Sequence, residues 1–178
     1  MADKEILYDG RFVRMVRKGT WEYAERQRVR DIVMVIPITD GAELVLNEQF
    51  RIPVGGAVIE IPAGLVGDIP GEEDEDLDSA ARRELLEETG FAGGTLTWLT
   101  AGPPSAGITS EVLTIGIVRG CRRVAAGGGD ESERITVHVV PLTGVTAWLR
   151  EQEAAGKYID PKVFIGLYFA GEGASSGD

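Results

Sequence analysis

The segment Arg83-Glu84-Leu85-Leu86-Glu87-Glu88-Thr89-Gly90-Phe91 gathers the residues of this chain best suited to chemistry. On a helix, positions three and four apart share a face. Glu84, Glu87 and Glu88 then form one acidic stripe, while Ala81, Leu85 and, more obliquely, Leu86 can pack on a core. Like charges at this spacing repel by roughly 0.2–0.5 kcal/mol per pair. A helix wanting only solubility would more often alternate signs. Three carboxylates on one stripe offer oxygen ligands to a hard divalent cation, and magnesium typically binds a few carboxylates together with substrate phosphates. On spacing alone a solvated acidic face is the commoner outcome, with the cation site as the alternative.

Other reactive residue types lack partners. His138 is the only histidine, and in Val137-His138-Val139-Val140 it alternates with apolar neighbours as a strand residue would. No nucleophile motif accompanies it, so a histidine-based triad is not expected. Cys121 has no metal-ligand partners. Gly127-Gly128-Gly129 lacks the strand-loop-helix setting and the lysine of a phosphate loop, and reads instead as a mobile loop before Asp130, Glu131 and Glu133.

The elements that must position the stripe follow from periodicity and breakers. Residues 79–89 predict a helix capped by Ser79 or Asp78 and stopped by Gly90. The loop 65–78 before it ends in an acidic run, Glu72 to Asp78. That run reads as a solvated segment favoured by the helix dipole, or as one that also touches a metal or ligand. Two strands are predicted within 5–16 around Tyr8-Asp9-Gly10, and two more within 20–39. Asp40-Gly41 marks a hairpin into Glu43–Gln49. Further strands are predicted at 57–61, near 95–100, 111–119 and 135–141, and helices at 143–155 and 161–170. This order predicts a mixed sheet covered by helices, an α/β (α+β) domain. The tail Gly171–Asp178 is small and polar and reads as disordered.

The 178 residues suffice for one domain with its own core. Hydrophobic residues make up 43% and charged ones 26%, which argues against disorder, collagen or coiled coil. Eighteen Lys and Arg against 29 Asp and Glu give a net charge of −11, a poor match for nucleic acid or an anionic membrane. The N-terminus has no apolar signal-peptide core, and no run approaches the ~18 apolar residues of a membrane span. A single cysteine excludes an internal disulfide and either fits a reducing cytoplasm or is neutral about compartment; the expected location is cytoplasmic.

The Arg83–Phe91 segment resembles the signature of the Nudix hydrolases, matching all seven constrained positions of its helical half. Upstream the chain departs from the signature. Counting back from Arg83 puts Glu75 in the signature's Glu place but Ile69 in its Gly place. If Gly64 is the glycine instead, 18 residues precede Arg83 where the pattern allows 13, and five extra residues lie in the acidic loop. Gln49-Phe50-Arg51-Ile52-Pro53, Ile59-Glu60-Ile61-Pro62-Ala63-Gly64, Thr20-Trp21-Glu22 with Arg26, and the segment from Glu131 to Val140 are similar to the ADP-ribose and ADP-sugar pyrophosphatase branch.

The resemblance implies a Nudix-type α/β/α sandwich with a mixed β-sheet plus a small N-terminal antiparallel β region. Residues 1–30 would serve dimerisation and base binding, 31–170 would form the hydrolase domain, and 171–178 a tail. It implies Glu84 and Glu88 as principal metal ligands, Glu87 in support, and the Ala63 carbonyl completing the shell. Arg83 would hold a box carboxylate in its rotamer. The general base would be Glu131, with Glu133 second, as base or as metal ligand. Arg51 would serve the diphosphate, Glu60 would be a further substrate-binding residue, and Trp21, Glu22 and Arg26 would serve the nucleobase or groups near it. Trp21 taken alone reads as strand packing; with the Thr20-Trp21-Glu22 match, base stacking and packing stand level.

The implied reaction is magnesium-dependent hydrolysis of a nucleoside diphosphate sugar, ADP-ribose first, with manganese able to substitute. The implied partners are that small molecule and a second copy in a homodimer. Ala106 stands where the branch often has proline, in Ser105-Ala106-Gly107, so GDP-mannose and ADP-glucose stay open. So do a dinucleoside polyphosphate and a non-catalytic ADP-ribose sensor. Glu111 reads as the structural start of a strand.

Overall fold

The computed structural model describes residues 3–27, 29–69, 71, 73–129 and 134–175. Apolar runs become strands in the order β1 (Lys4–Asp9), β2 (Val13–Lys18), β3 (Trp21–Arg26), β4 (Asp31–Thr39), β5 (Glu43–Arg51), β6 (Gly56–Glu60) and β7 (Ala63–Val66). The acidic stripe lies on α1 (Leu77–Thr89). Then come β8 (Phe91–Ala92), β9 (Thr95–Gly102), β10 (Leu113–Arg123), β11 (Ile135–Pro141), α2 (Val145–Ala154), β12 (Tyr158–Ile159) and α3 (Lys162–Ser175).

Alternation along β4 sets the layers. Val33 and Val35 face one way and join Val45, Val66, Ala80, Ala81 and Leu85, so this core lies under α1. Met34, Ile36 and Ile38 face the other way and meet Leu44, Leu46, Val145, Leu149 and Val163, which places α2 and α3 on the opposite face. A nine-stranded mixed sheet therefore lies between two helical layers, with β10 parallel to β4, β12 parallel to β6, and the remaining pairs antiparallel. Both faces of β4 are covered, which is why its sequence reads as an unbroken apolar run.

One irregularity builds the site. The β4–β5 hairpin splays after the Ile38–Leu44 pair. Farther along, β5 pairs with β6, and β4 pairs with β7. The chain changes partner at Ile61-Pro62, where Val35 donates its N–H to the Pro62 carbonyl at 2.9 Å. This switch sets Ala63 and Gly64 beneath α1.

A separate antiparallel sheet, β1-β2-β3, forms the N-terminal region. It touches the body through Ala24, which donates to Ile108 O at 2.8 Å and accepts from Ser110 N at 3.1 Å. It leaves Tyr8, Phe12, Met15 and Trp21 exposed.

The structure corrects several boundaries. α1 begins at Leu77 rather than Ser79, and its cap is Asp76, whose carboxylate accepts from Ser79 N at 2.9 Å. Leu77 packs against the core, which draws the helix start forward. A strand, β7, covers residues 63–66 and takes the first two residues of the expected loop 65–78, because β4 supplies a partner for them. The first hairpin turns after Asp9, and Glu111 lies two residues before β10. α3 runs on to Ser175, into the stretch expected to be disordered. Gly127–Gly129 is seated rather than free: Gly128 N donates to Glu88 O at 2.8 Å and Gly129 N to Glu87 O at 3.1 Å. No described helix is long and apolar enough to cross a membrane.

Candidate active site

Arg83 is the hub of α1's polar face. Its Nε and Nη2 donate to the two carboxylate oxygens of Glu75 at 2.9 and 3.0 Å. Nη1 donates to Glu84 at 2.8 Å and to Glu87 at 3.2 Å, and Nη2 also reaches the Leu65 carbonyl at 3.0 Å. Such fork geometry is particular to arginine. The hydrogen bond from Arg83 draws the Glu75 carboxyl below the ordinary range. Glu75, which counting back from Arg83 puts in the signature's Glu place, is thus the bidentate partner of Arg83. The pairing expected between Arg83 and a box carboxylate is present twice, and the guanidinium is largely buried.

Gly64, the alternative candidate for the signature's glycine, lies against Glu84. A Cβ built on it would lie 1.8 Å from Glu84 Cδ, so the space above this glycine is filled by the Glu84 carboxyl. Burial pushes that carboxyl up to about 7, against the pull of Arg83. A desolvated carboxylate of this kind gains from a cation.

Glu88, 6% exposed, is fixed from the sheet. One oxygen, Oε2, accepts from Asn47 Nδ2 at 2.8 Å and from Ala63 N at 3.1 Å. Asn47 did not emerge from the sequence, although a signal existed. In Leu44-Val45-Leu46-Asn47 alternation puts it beside Val45 under α1, where a polar side chain needs a partner.

These groups line a cleft of about 620 Å³. Arg26, Arg51, Glu60, Ala63, Arg83, Glu84, Glu87 and Glu88 all border it, and so does Glu111. Arg51 Nε donates to Glu60 at 2.8 Å, Arg26 Nε to Glu111 at 2.8 Å, and Lys162 Nζ to Asp160. Burial raises the Glu60 carboxyl despite Arg51. The lining counts four basic residues against seven acidic ones, and each basic residue has an acidic partner within the protein. Trp21 and Glu22 lie outside this cleft. Trp21 is 64% exposed, and Glu22 stands 3.8 Å from Arg17. Glu131 and Glu133 lie outside the described residues.

The donors suit a hard cation by chemistry, since Glu84, Glu87 and Glu88 are carboxylates bordering one cleft, with Gly64 making room for one of them. Among the described residues, no three His, Cys, Asp or Glu side chains already converge as a metal nest. Arg83 holds two of the box carboxylates instead.

The NUDIX domain profile matches residues 28–160. The methanol dehydrogenase activator of Bacillus methanolicus is 29% identical over 172 residues, covering 93% of this chain and 88% of that protein. An ADP-ribose pyrophosphatase of Escherichia coli O157:H7 is 31% identical over 153 residues, 82% of this chain and 68% of that one. Some other ADP-ribose pyrophosphatases are spanned over less than two thirds of their length. The crystal structure of an ADP compounds hydrolase matches with a TM-score of 0.70, covering 98% of this chain and 92% of its own, at 22% identity, and so speaks for the fold alone. With the family profile covering the sheet, the acidic helix and the cleft between them, the chain belongs to the Nudix hydrolases, on the branch of the ADP-ribose pyrophosphatases.

Proposed function

We propose that this chain hydrolyses the diphosphate bond of a nucleoside diphosphate sugar, with ADP-ribose as first substrate, giving AMP and ribose 5-phosphate. The observation that carries this is the cleft in which Glu84, Glu87 and Glu88 meet cations already paired within the protein. A diphosphate bridge entering it meets excess negative charge and needs metal to stay. Magnesium, or manganese in its place, would neutralise the bridge, polarise a phosphorus–oxygen bond and acidify a bound water.

The chain's own residues supply the rest. Glu84 and Glu88 would be the principal ligands, with Glu87 and the Ala63 carbonyl completing the set. Arg83 braces Glu84 and Glu87. Glu60 holds the Nε of Arg51, which leaves the terminal guanidinium nitrogens as donors for a phosphate. Glu131, or Glu133 behind it, takes the proton of the attacking water.

Trp21 and Glu22 would meet the nucleobase in a homodimer, where the N-terminal region 1–30 of one copy completes the site of the other. That role accounts for the apolar side chains the small sheet leaves exposed. Residues 31–170 carry the reaction. We place the enzyme in the cytoplasm, in accord with the single buried Cys121.

The test is a panel of nucleoside diphosphate sugars, including ADP-glucose and GDP-mannose, with and without magnesium, read as phosphate released by an added phosphatase. ADP-ribose is expected to be cleaved fastest, and only with the metal. A blank panel alongside measurable ADP-ribose binding would instead identify a sensor. Glu88→Gln is expected to remove both cleavage and metal affinity. Glu131→Gln should lower turnover by about 10²-fold or more. Normal turnover in that variant would move the base to Glu133.

A second reading comes from the Bacillus methanolicus relative, which this chain matches over 93% of its length. In it the chain acts on a partner dehydrogenase. Added to a methanol dehydrogenase assay, the protein would then raise the rate in proportion to its concentration.

A further inference from the structure

We infer that Asn47 is a positioning residue for Glu88, selecting which carboxylate oxygen is tied to the sheet and which serves the cation. The inference rests on the proposed role of Glu88 and extends it to a residue outside the acidic helix.

Asn47 lies on β5, opposite Glu60 of β6 and Val137 of β11, and is 4% exposed. Its Nδ2 donates to Glu88 Oε2 at 2.8 Å, and the Ala63 amide donates to the same oxygen at 3.1 Å. Two donors from different strands, β5 and β7, converge on one oxygen of a side chain carried by a helix. Both are neutral. They hold the carboxylate without adding a positive charge that would compete with a metal. Glu84 and Glu87 each accept a hydrogen bond from the Arg83 guanidinium.

The other end of the amide points to the same role. Asn47 Oδ1 is buried and has no hydrogen-bond partner among the described residues. A buried acceptor left unpaired is disfavoured, and a side chain needed only to fill space there would be apolar. Turning the amide over would set Oδ1 against the Glu88 carboxylate. The orientation found serves Glu88 and leaves Oδ1 without a partner, as a positioning role requires.

The experiment uses the full chain and Mn²⁺ as the probe, with bound metal read from the loss of the free-ion paramagnetic signal. The variants are Asn47→Leu, which keeps the branched shape and removes the donor, Asn47→Ser, Glu88→Gln, and Asn47→Leu combined with Glu88→Gln. Asn47→Leu is expected to weaken Mn²⁺ binding about tenfold or more, with the thermal midpoint unchanged or raised. Its kcat at saturating metal should stay within a few-fold of the parent, so that the deficit shows in the metal requirement. The double variant should bind no more weakly than Glu88→Gln alone, since both changes remove one interaction.

Should Asn47→Leu fail to fold, Asn47→Ser carries the same expectation. Mn²⁺ binding within twofold of the parent in both Asn47 variants, with Glu88→Gln impaired, overturns the inference and leaves the proposed function standing. Additive losses in the double variant do the same. Unchanged binding in Glu88→Gln overturns both together.

Discussion

At the residue scale the site depends on contacts that small changes abolish. Gly64→Ala would drive a methyl group into the Glu84 carboxyl, with which it would overlap at 1.8 Å from Cδ. Activity is expected to fall at least tenfold while far-UV circular dichroism stays unchanged, because the displaced group is one side chain rather than backbone. Arg83→Gln would strand the nearly buried carboxylate of Glu75. Breaking such a pair costs about 3–5 kcal/mol, which urea unfolding would register.

Away from the cleft, Glu48 Oε2 lies 2.8 Å from both His138 Nε2 and Lys157 Nζ. Burial works to raise that carboxyl, but Lys157 and His138 outweigh it and leave it below the ordinary range. A lowered carboxyl stabilises the fold above its unfolded value of about 4.3, and the contribution is lost as pH falls through the folded value. The gap in thermal midpoint between the parent and Glu48→Gln should therefore be full at neutral pH and close below about pH 4. A gap that stays constant down to pH 3 would contradict the assignment.

At the scale of elements, α1 joins the chemistry to the core. Leu85 anchors one side of it, and Leu85→Ala should cost about 2–5 kcal/mol. Asp76→Ala removes the cap and should cost about 1 kcal/mol, both read from chemical denaturation. The acidic stripe was legible because helical periodicity alone brings Glu84, Glu87 and Glu88 together. The hairpin at Asp40-Gly41 was legible because turn chemistry is local. The cap was not, since Asp76, Asp78 and Ser79 are all good caps and only the packing of Leu77 selects among them. Nor was β7, whose Ala63-Gly64 start looks like a turn until β4 pairs with it. Asn47 escaped notice because its partner lies 41 residues away, across a helix–sheet contact.

At the scale of the whole molecule, charge decides how a substrate is met. The chain carries −11, and the cleft itself is lined by more acids than bases. With metal chelated, an anionic nucleotide sugar should bind more tightly as ionic strength rises, because salt screens the repulsion. Calorimetry in chelator at low and moderate salt would show this, and weakening with salt would mean that the paired arginines dominate. Removing residues 1–27 should leave the nine-stranded sheet folded, since the small sheet meets it chiefly at Ala24 and through Arg26 and Glu111. Sedimentation of that truncated chain as a monomer would accord with the proposed homodimer.

The meeting of Gly64 with Glu84 bears on how kin of this chain are found. The two residues lie farther apart in sequence than the signature's ruler permits, yet they touch in space. A text pattern with a rigid gap would pass such a chain by. A description written as pairs of touching atoms would keep it, and would keep others whose intervening segment is longer still. The spelling between the two halves can drift freely, provided the segment brings its glycine and its glutamate back to the same embrace.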